Sequence, residues 1–176
     1  MTRTRTVTVT EYRFAELSEK AKDRAKQRAA ESIGYSWADE ALDSIKALAK
    51  HFGGRMVDWS IDWFASSYSS ARFDMPEMDR KEIAELLAEL GTFDPDTLKG
   101  HGECKLTGVC FDEDAIDGFR RAFHAGESDL GELMDAAFDS WLKAAQADAE
   151  DQYSDEQFAE NCEANDYWFT EDGELV

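Results

Sequence analysis

An α+β fold, a single domain with a small antiparallel sheet packed against several helices, is predicted by three features of the sequence. Residues 4–14 and 56–75 alternate apolar and polar with period two, long stretches elsewhere carry apolar stripes at helical spacing, and no Pro/Gly/Ser-rich linker divides them. A length of 176 residues suits one domain over 1–176 with a core of its own. Hydrophobic residues at 43% and aromatics at 12% are those of a chain that folds rather than of a disordered acidic tail.

Taken in order, Thr4 to Phe14 reads as an amphipathic strand, with Val7 and Val9 on one face and Thr6, Thr8 and Thr10 on the other. Ser18 offers an N-cap to a helix whose Leu17, Ala21, Ala25, Ala29 and Ile33 form the inner stripe, with Gly34 as its stop. Lys20, Lys22, Arg24, Lys26 and Arg28 make its outer face basic, either solvated or paired with the chain's own acids. Ser36 and Asp39 predict a capping box for a second helix with Trp37, Ala41, Ile45, Leu48, Ala49 and Phe52 inward, ended by Gly53-Gly54. Val57, Trp59, Ile61 and Trp63 are expected to face a core from a strand, with Asp58, Ser60 and Asp62 outward. A turn over Ser66 to Ser70 and a partner strand with Ala71, Phe73 and Met75 complete a hairpin.

Asp79 and Glu82 box a third helix carrying Ile83, Leu86, Leu87 and Leu90 up to Gly91. Phe93 to Gly102 reads as loop and Cys104 to Phe111 as a further strand weakened by Gly108. Ile116, Phe119 and Phe123 suit a short helix closed by Gly126. Leu130, Leu133, Met134, Ala137, Phe138, Trp141, Leu142 and Ala145 then follow the one-faced helical pattern without a break. Ser154 and Gln157 cap a last helix with Phe158 and Cys162, Tyr167 to Thr170 reads as a short strand, and Asp172-Gly173 as a turn.

The formal charge of −20 excludes a conventional DNA or RNA binder, whose basic footprint replaces counterions at phosphates. That charge is unevenly placed. Residues 1–60 are near neutral, with 11 Lys and Arg against 9 Asp and Glu, whereas 101–176 hold 4 against 21. The N-terminal residues lack the apolar core of a signal peptide, and no run of about 18 apolar residues occurs. Three cysteines, Cys104, Cys110 and Cys162, suit a reducing compartment better than a disulfide framework, so a cytoplasmic location is expected.

The motifs that would carry chemistry are sparse. His101, Cys104 and Cys110 supply half of a structural zinc pattern, and small hydrophobes on one strand face explain the cysteines as well. A calcium loop starting at Asp112 would need Gly at 117 and Glu at 123, where Asp117 and Phe123 stand, so these acids are assigned to a helix N-terminus. His51, His101 and His124 follow no catalytic motif, and no nucleophile elbow, Walker A or dinucleotide-binding glycine pattern is present. No enzymatic activity, resident metal or other cofactor is expected.

The acidic half carries the functional content. Glu132, Asp135 and Asp139 fall at i, i+3 and i+7, opposite the apolar stripe, so three carboxylates form a row of roughly 10 Å. Asp148, Glu150, Asp151, Asp155, Glu156, Glu160 and Glu163 are expected to extend it. A duplex strand presents a phosphate about every 3.4 Å, so the row is a sparser line of the same sign. Concentrating like charges costs stability, and a surface that occupies the nucleic-acid groove of a basic partner explains the concentration, as does solubility alone.

Two segments are familiar together. "VTVTEYRFAELSEKAKDRAKQRA" and the closing "YSDEQFAENCEANDYWFTEDGELV" resemble the two ends of a family of small acidic phage and prophage proteins, some labelled antitoxin. Between them the family often has a Gly/Gln-rich aromatic loop, where this chain has "WFASSYSSARF". The resemblance implies a phage accessory protein acting in a bacterial host. Together with the charge it predicts a non-enzymatic inhibitor, of anti-CRISPR or anti-restriction type, that offers a DNA-mimicking surface to a basic host protein or ribonucleoprotein complex. An antitoxin-like or regulatory module binding through the aromatic hairpin is the alternative, and a zinc-dependent enzyme the third reading. Neither direct nucleic-acid binding nor a membrane is expected.

Overall fold

A computed structural model of the chain describes residues 10–64, 68–94, 99–101, 105–108 and 111–176. The class is α+β, as expected, with helices predominating over two short antiparallel pairs. Contacts gather the chain into two compact units, Met1–Ser36 with Glu150–Val176, and Trp37–Ala149.

The larger unit holds α2 (Ala38–His51), β1 (Arg55–Ser60), β2 (Ser70–Asp74), α3 (Arg80–Glu89), β3 (Thr92–Asp94), β4 (Lys99–His101), α4 (Phe111–His124) and all but the last turn of α5 (Leu130–Gln152). Its core draws one stripe from each helix: Ala41, Ile45 and Leu48 from α2, Ile83 from α3, Phe119 from α4, and Leu133, Met134 and Trp141 from α5 are fully or almost fully buried. Each large side chain so buried contributes about 1.5–3 kcal/mol. Phe52 stacks on Phe119 with centroids 4.4 Å apart, and the Trp141 indole N–H donates to the Ala41 carbonyl at 2.8 Å. At Gly118 a Cβ would meet Ser140 Cβ at 2.5 Å, so only glycine lets α4 lie this close to α5. The α3 capping box forms as read, with the Asp79 carboxylate accepting the Lys81 and Glu82 N–H groups.

Four local expectations for this unit are corrected. Trp37, not Ser36, stands at the N-cap position of α2, with no side-chain capping bond, and the residue is 55% exposed rather than inward. A bulge between Met56 and Asp58 removes Val57 from the ladder, so Met56 opposite Phe73 and Trp59 opposite Ala71 share a face. Trp59 stays 45% exposed, with the Lys46 ammonium 4.8 Å from its ring centre. The backbone of 92–94 pairs with that of 99–101 where a loop was expected. Residues 105–108 form a bend instead of a strand, and Phe111 opens α4, while Cys104 and Cys110 lie outside the described residues.

The bend has a cause. The Asp112 carboxylate, wholly buried in the first turn of α4, accepts the N–H groups of Leu106, Thr107 and Gly108 at 2.9, 2.7 and 3.1 Å, and the Thr107 hydroxyl at 2.8 Å. An acid in the position of a first calcium ligand is thus an anchor for its own upstream loop.

The smaller unit is built from a 3-10 turn (Phe14–Glu16), α1 (Glu19–Ser32), α6 (Asp155–Ala164) and the C-terminal segment. Ser18 and Ser154 cap the two helices through their hydroxyls, as read from the sequence. Phe14, Leu17, Ala21, Ala25, Phe158, Cys162 and Phe169 make its core, with Phe14 edge-on to Phe158 at 4.9 Å. Of the strand expected over Thr4 to Phe14, residues up to 9 lie outside the described residues, and Tyr12 makes a single antiparallel bridge to Phe169. Ile33 ends the α1 stripe 61% exposed rather than buried.

Candidate partner-binding surface

The acidic row of the larger unit is set up by a well-anchored helix. Asp129 Oδ1 accepts the N–H groups of Gly131 and Glu132 at 2.9 and 3.1 Å, capping α5, and Arg80 closes the preceding turn by donating to the carbonyls of Phe123 and Glu127. With Leu133, Met134, Ala137, Phe138 and Trp141 locked in the core, Glu132, Asp135 and Asp139 all stand exposed on the opposite side. None of the three makes an ion pair among the described residues. Burial first, and then the neighbouring carboxylates of Asp139 and Asp129, push the Asp135 carboxyl above its ordinary range.

Asp148 is exposed, but at about 100° per residue it lies roughly 160° around α5 from Glu132, so it does not continue the row. Glu150, Asp151, Asp155, Glu156, Glu160 and Glu163 belong to the other unit, where they are exposed as well. There Glu156, Glu160 and Glu163 fall at i, i+4 and i+7 on the side of α6 opposite Phe158 and Cys162, a second row of about 10 Å. Asp155 is committed elsewhere: its carboxylate pairs with the Lys26 ammonium, which holds it below the usual range.

Lys26 is part of a wider arrangement that decides the fate of the basic face of α1. Arg24 meets Asp172 and Arg28 meets Glu174, both at 2.9 Å, and Arg13 reaches Asp166 at 2.6 Å while stacking on Trp168. The run from Lys20 to Arg28 therefore serves in large part to tie down the acids of the C-terminal segment, one of the readings its composition allowed.

What the sequence did not disclose is a groove beside this arrangement, bordered by Ala29 of α1, by Ile33 just after it and by Tyr167, Phe169 and Leu175, with a volume of about 90 Å³. The apolar pair Leu175-Val176 after the Gly173 turn was its one local signal.

Among the described residues, no group of three or more His, Cys, Asp and Glu side chains is placed to hold a metal ion, and no helix is long and apolar enough to cross a membrane. Compared with known proteins, the chain matches no family model, no curated protein and no solved structure.

Proposed function

We propose that this protein is a non-enzymatic inhibitor, encoded by a phage, that binds a basic nucleic-acid-handling complex of the bacterial host, of CRISPR-effector or restriction type, in the host cytoplasm. The observation that carries the reading is the α5 row: Glu132, Asp135 and Asp139 are exposed, aligned on one helix face and left without counter-charges of their own. A row of that sign raises the local concentration of a basic groove and steers it into register, at a rate that falls with salt. The resemblance of the two chain ends to small acidic phage proteins supports the host setting. The second row, Glu156, Glu160 and Glu163, offers the same chemistry on the smaller unit.

The test is displacement of labelled DNA from purified CRISPR effector and restriction complexes by the protein, at low and high salt. Displacement that weakens with salt and is lost in the Glu132→Lys, Asp135→Lys, Asp139→Lys variant, with an unchanged circular dichroism spectrum, is the expected result. Salt-insensitive binding that disappears instead on mutating exposed Trp59 and Tyr68 would favour the antitoxin-like, hairpin-borne alternative.

A further inference from the structure

The link from β2 to α3 stands against the start of α5 and leaves a pocket of about 330 Å³ between them, with Phe73, Met75, Met78 and Leu130 on its apolar side. These walls are held in place. Phe73 lies edge-on to Phe138 of α5 with centroids 6.3 Å apart, Leu130 is buried, and Met75 packs so closely on Gly54 that a Cβ there would meet its sulfur at 2.2 Å. A pocket of this size takes one long side chain or a small ligand.

Two carboxylates complete the lining, Glu77 from the link and Asp129 from the turn before α5. Glu77 is exposed and makes no hydrogen bond or ion pair among the described residues. Asp129 gives Oδ1 to the Gly131 and Glu132 N–H groups and keeps Oδ2 free among the same residues. No Lys or Arg is among the described lining residues, and Arg80, just past the link, is turned to the carbonyls of Phe123 and Glu127 and stacks on Phe123 at 4.0 Å. The N–H groups that an anion would seek at the start of α5 are taken, those of Ser128 and Asp129 by the Glu127 carboxylate and those of Gly131 and Glu132 by Asp129.

The lining thus calls for a cation on an apolar stem. We infer that the pocket receives an arginine side chain of the partner, its stem on Phe73 and the two methionines and its guanidinium on Glu77 and Asp129. A guanidinium is planar, weakly hydrated and rich in donors, so it serves carboxylates from two different elements beside an apolar wall, where a compact Lys ammonium gives up more of its water. Gly131, which also lines the pocket, and Asp135 are one turn apart on α5, so the pocket stands at the head of the acidic row. The inference rests on the reading of that row for the partner's basic nature, and adds the residue by which the partner is held.

The full chain is titrated with two labelled Lys-rich peptides of one length and charge, identical but for a central Arg in the first that is Lys in the second. The first is expected to bind at least about fivefold more tightly, the scale of one net hydrogen bond. Glu77→Gln, at an exposed position, and Asp129→Asn, which keeps an Oδ1 acceptor for α5, should each cut that preference below about twofold with circular dichroism unchanged. In the Glu132→Gln, Asp139→Asn variant both peptides should bind more weakly with the preference intact; if neither weakens, the row reading fails and the pocket stands. Absent binding, equal binding of the two peptides by wild type, or a preference that both pocket variants retain overturns the inference. So does a wild-type dimer in sedimentation that Glu77→Gln converts to monomer, because a basic residue of a second copy would then fill the pocket.

Discussion

Replacing Asp112 by Ala probes the anchor that shapes the turn into α4. The carboxylate is fully buried and accepts three backbone N–H groups and one hydroxyl at 2.7–3.1 Å, and the Thr107 hydroxyl lies 3.2 Å from that of Ser44 on α2. Removing the acceptor strands four donors at about 1–3 kcal/mol each if they stay buried. Thr107 and Gly108 are exposed, so much of that cost is recovered by hydration, and a net loss of roughly 2–4 kcal/mol is expected. Asp112→Asn should fall between, since its amide oxygen keeps an acceptor while its NH2 faces donors. Urea denaturation followed by circular dichroism measures both, with the midpoint lowered and the slope unchanged. A loss below about 0.5 kcal/mol for Asp112→Ala would refute the argument, because surface substitutions typically stay within that range. Added calcium should leave the wild-type midpoint where it is, since the carboxylate is already saturated by donors.

Three further outcomes follow from the same geometry. Asp135→Asn should stabilise the protein by about 0.2–0.5 kcal/mol near neutral pH, the scale of a like-charge pair on a helix. A carboxyl raised in the fold opposes folding when ionised, so the advantage of Asn should shrink as pH falls through the raised value and protonates the wild-type Asp, a trend read from melting temperatures across an acid series. Gly173→Ala should lower the melting temperature, because it forces a Cβ into the Ala21 carbonyl at a φ of +80°; an unchanged melting curve contradicts the close docking of the C-terminal segment. Lys26→Met should let the Asp155 carboxyl rise back toward its ordinary range, followed by carbon NMR of the side chain, since the Lys26 hydrogen bond is the first cause of its depression.

What could be read in advance was what is encoded locally. Ser18, Ser154 and the Asp79–Glu82 box cap their own helices within three residues, and the α5 stripe fixes its buried face by period alone. What escaped depends on residues far apart in the chain. Ser36 offered a cap by pattern, but its N–H bonds to the Gln152 side chain and α2 starts later. One bulged residue moved Val57 off the face it shared by alternation with Trp59. The α5 row was legible because it needs only helical spacing, whereas Asp148 was assigned to it by proximity in sequence and rotates away. The groove was out of reach, because Ile33 and Leu175 border it from opposite ends of the chain.

The central claim is that the α5 carboxylates bind a basic surface. Three exposed pairs of about 0.2–1 kcal/mol each, turned from attraction to repulsion, weaken binding by roughly 1–6 kcal/mol, about fivefold or more. The most direct measurement is DNA displacement from a purified effector complex by wild type and by the Glu132→Lys, Asp135→Lys, Asp139→Lys variant, in parallel across a salt series. The account predicts displacement by wild type that weakens as salt rises, and displacement at least about fivefold weaker by a variant that is still folded; equal displacement by the two proteins would contradict it.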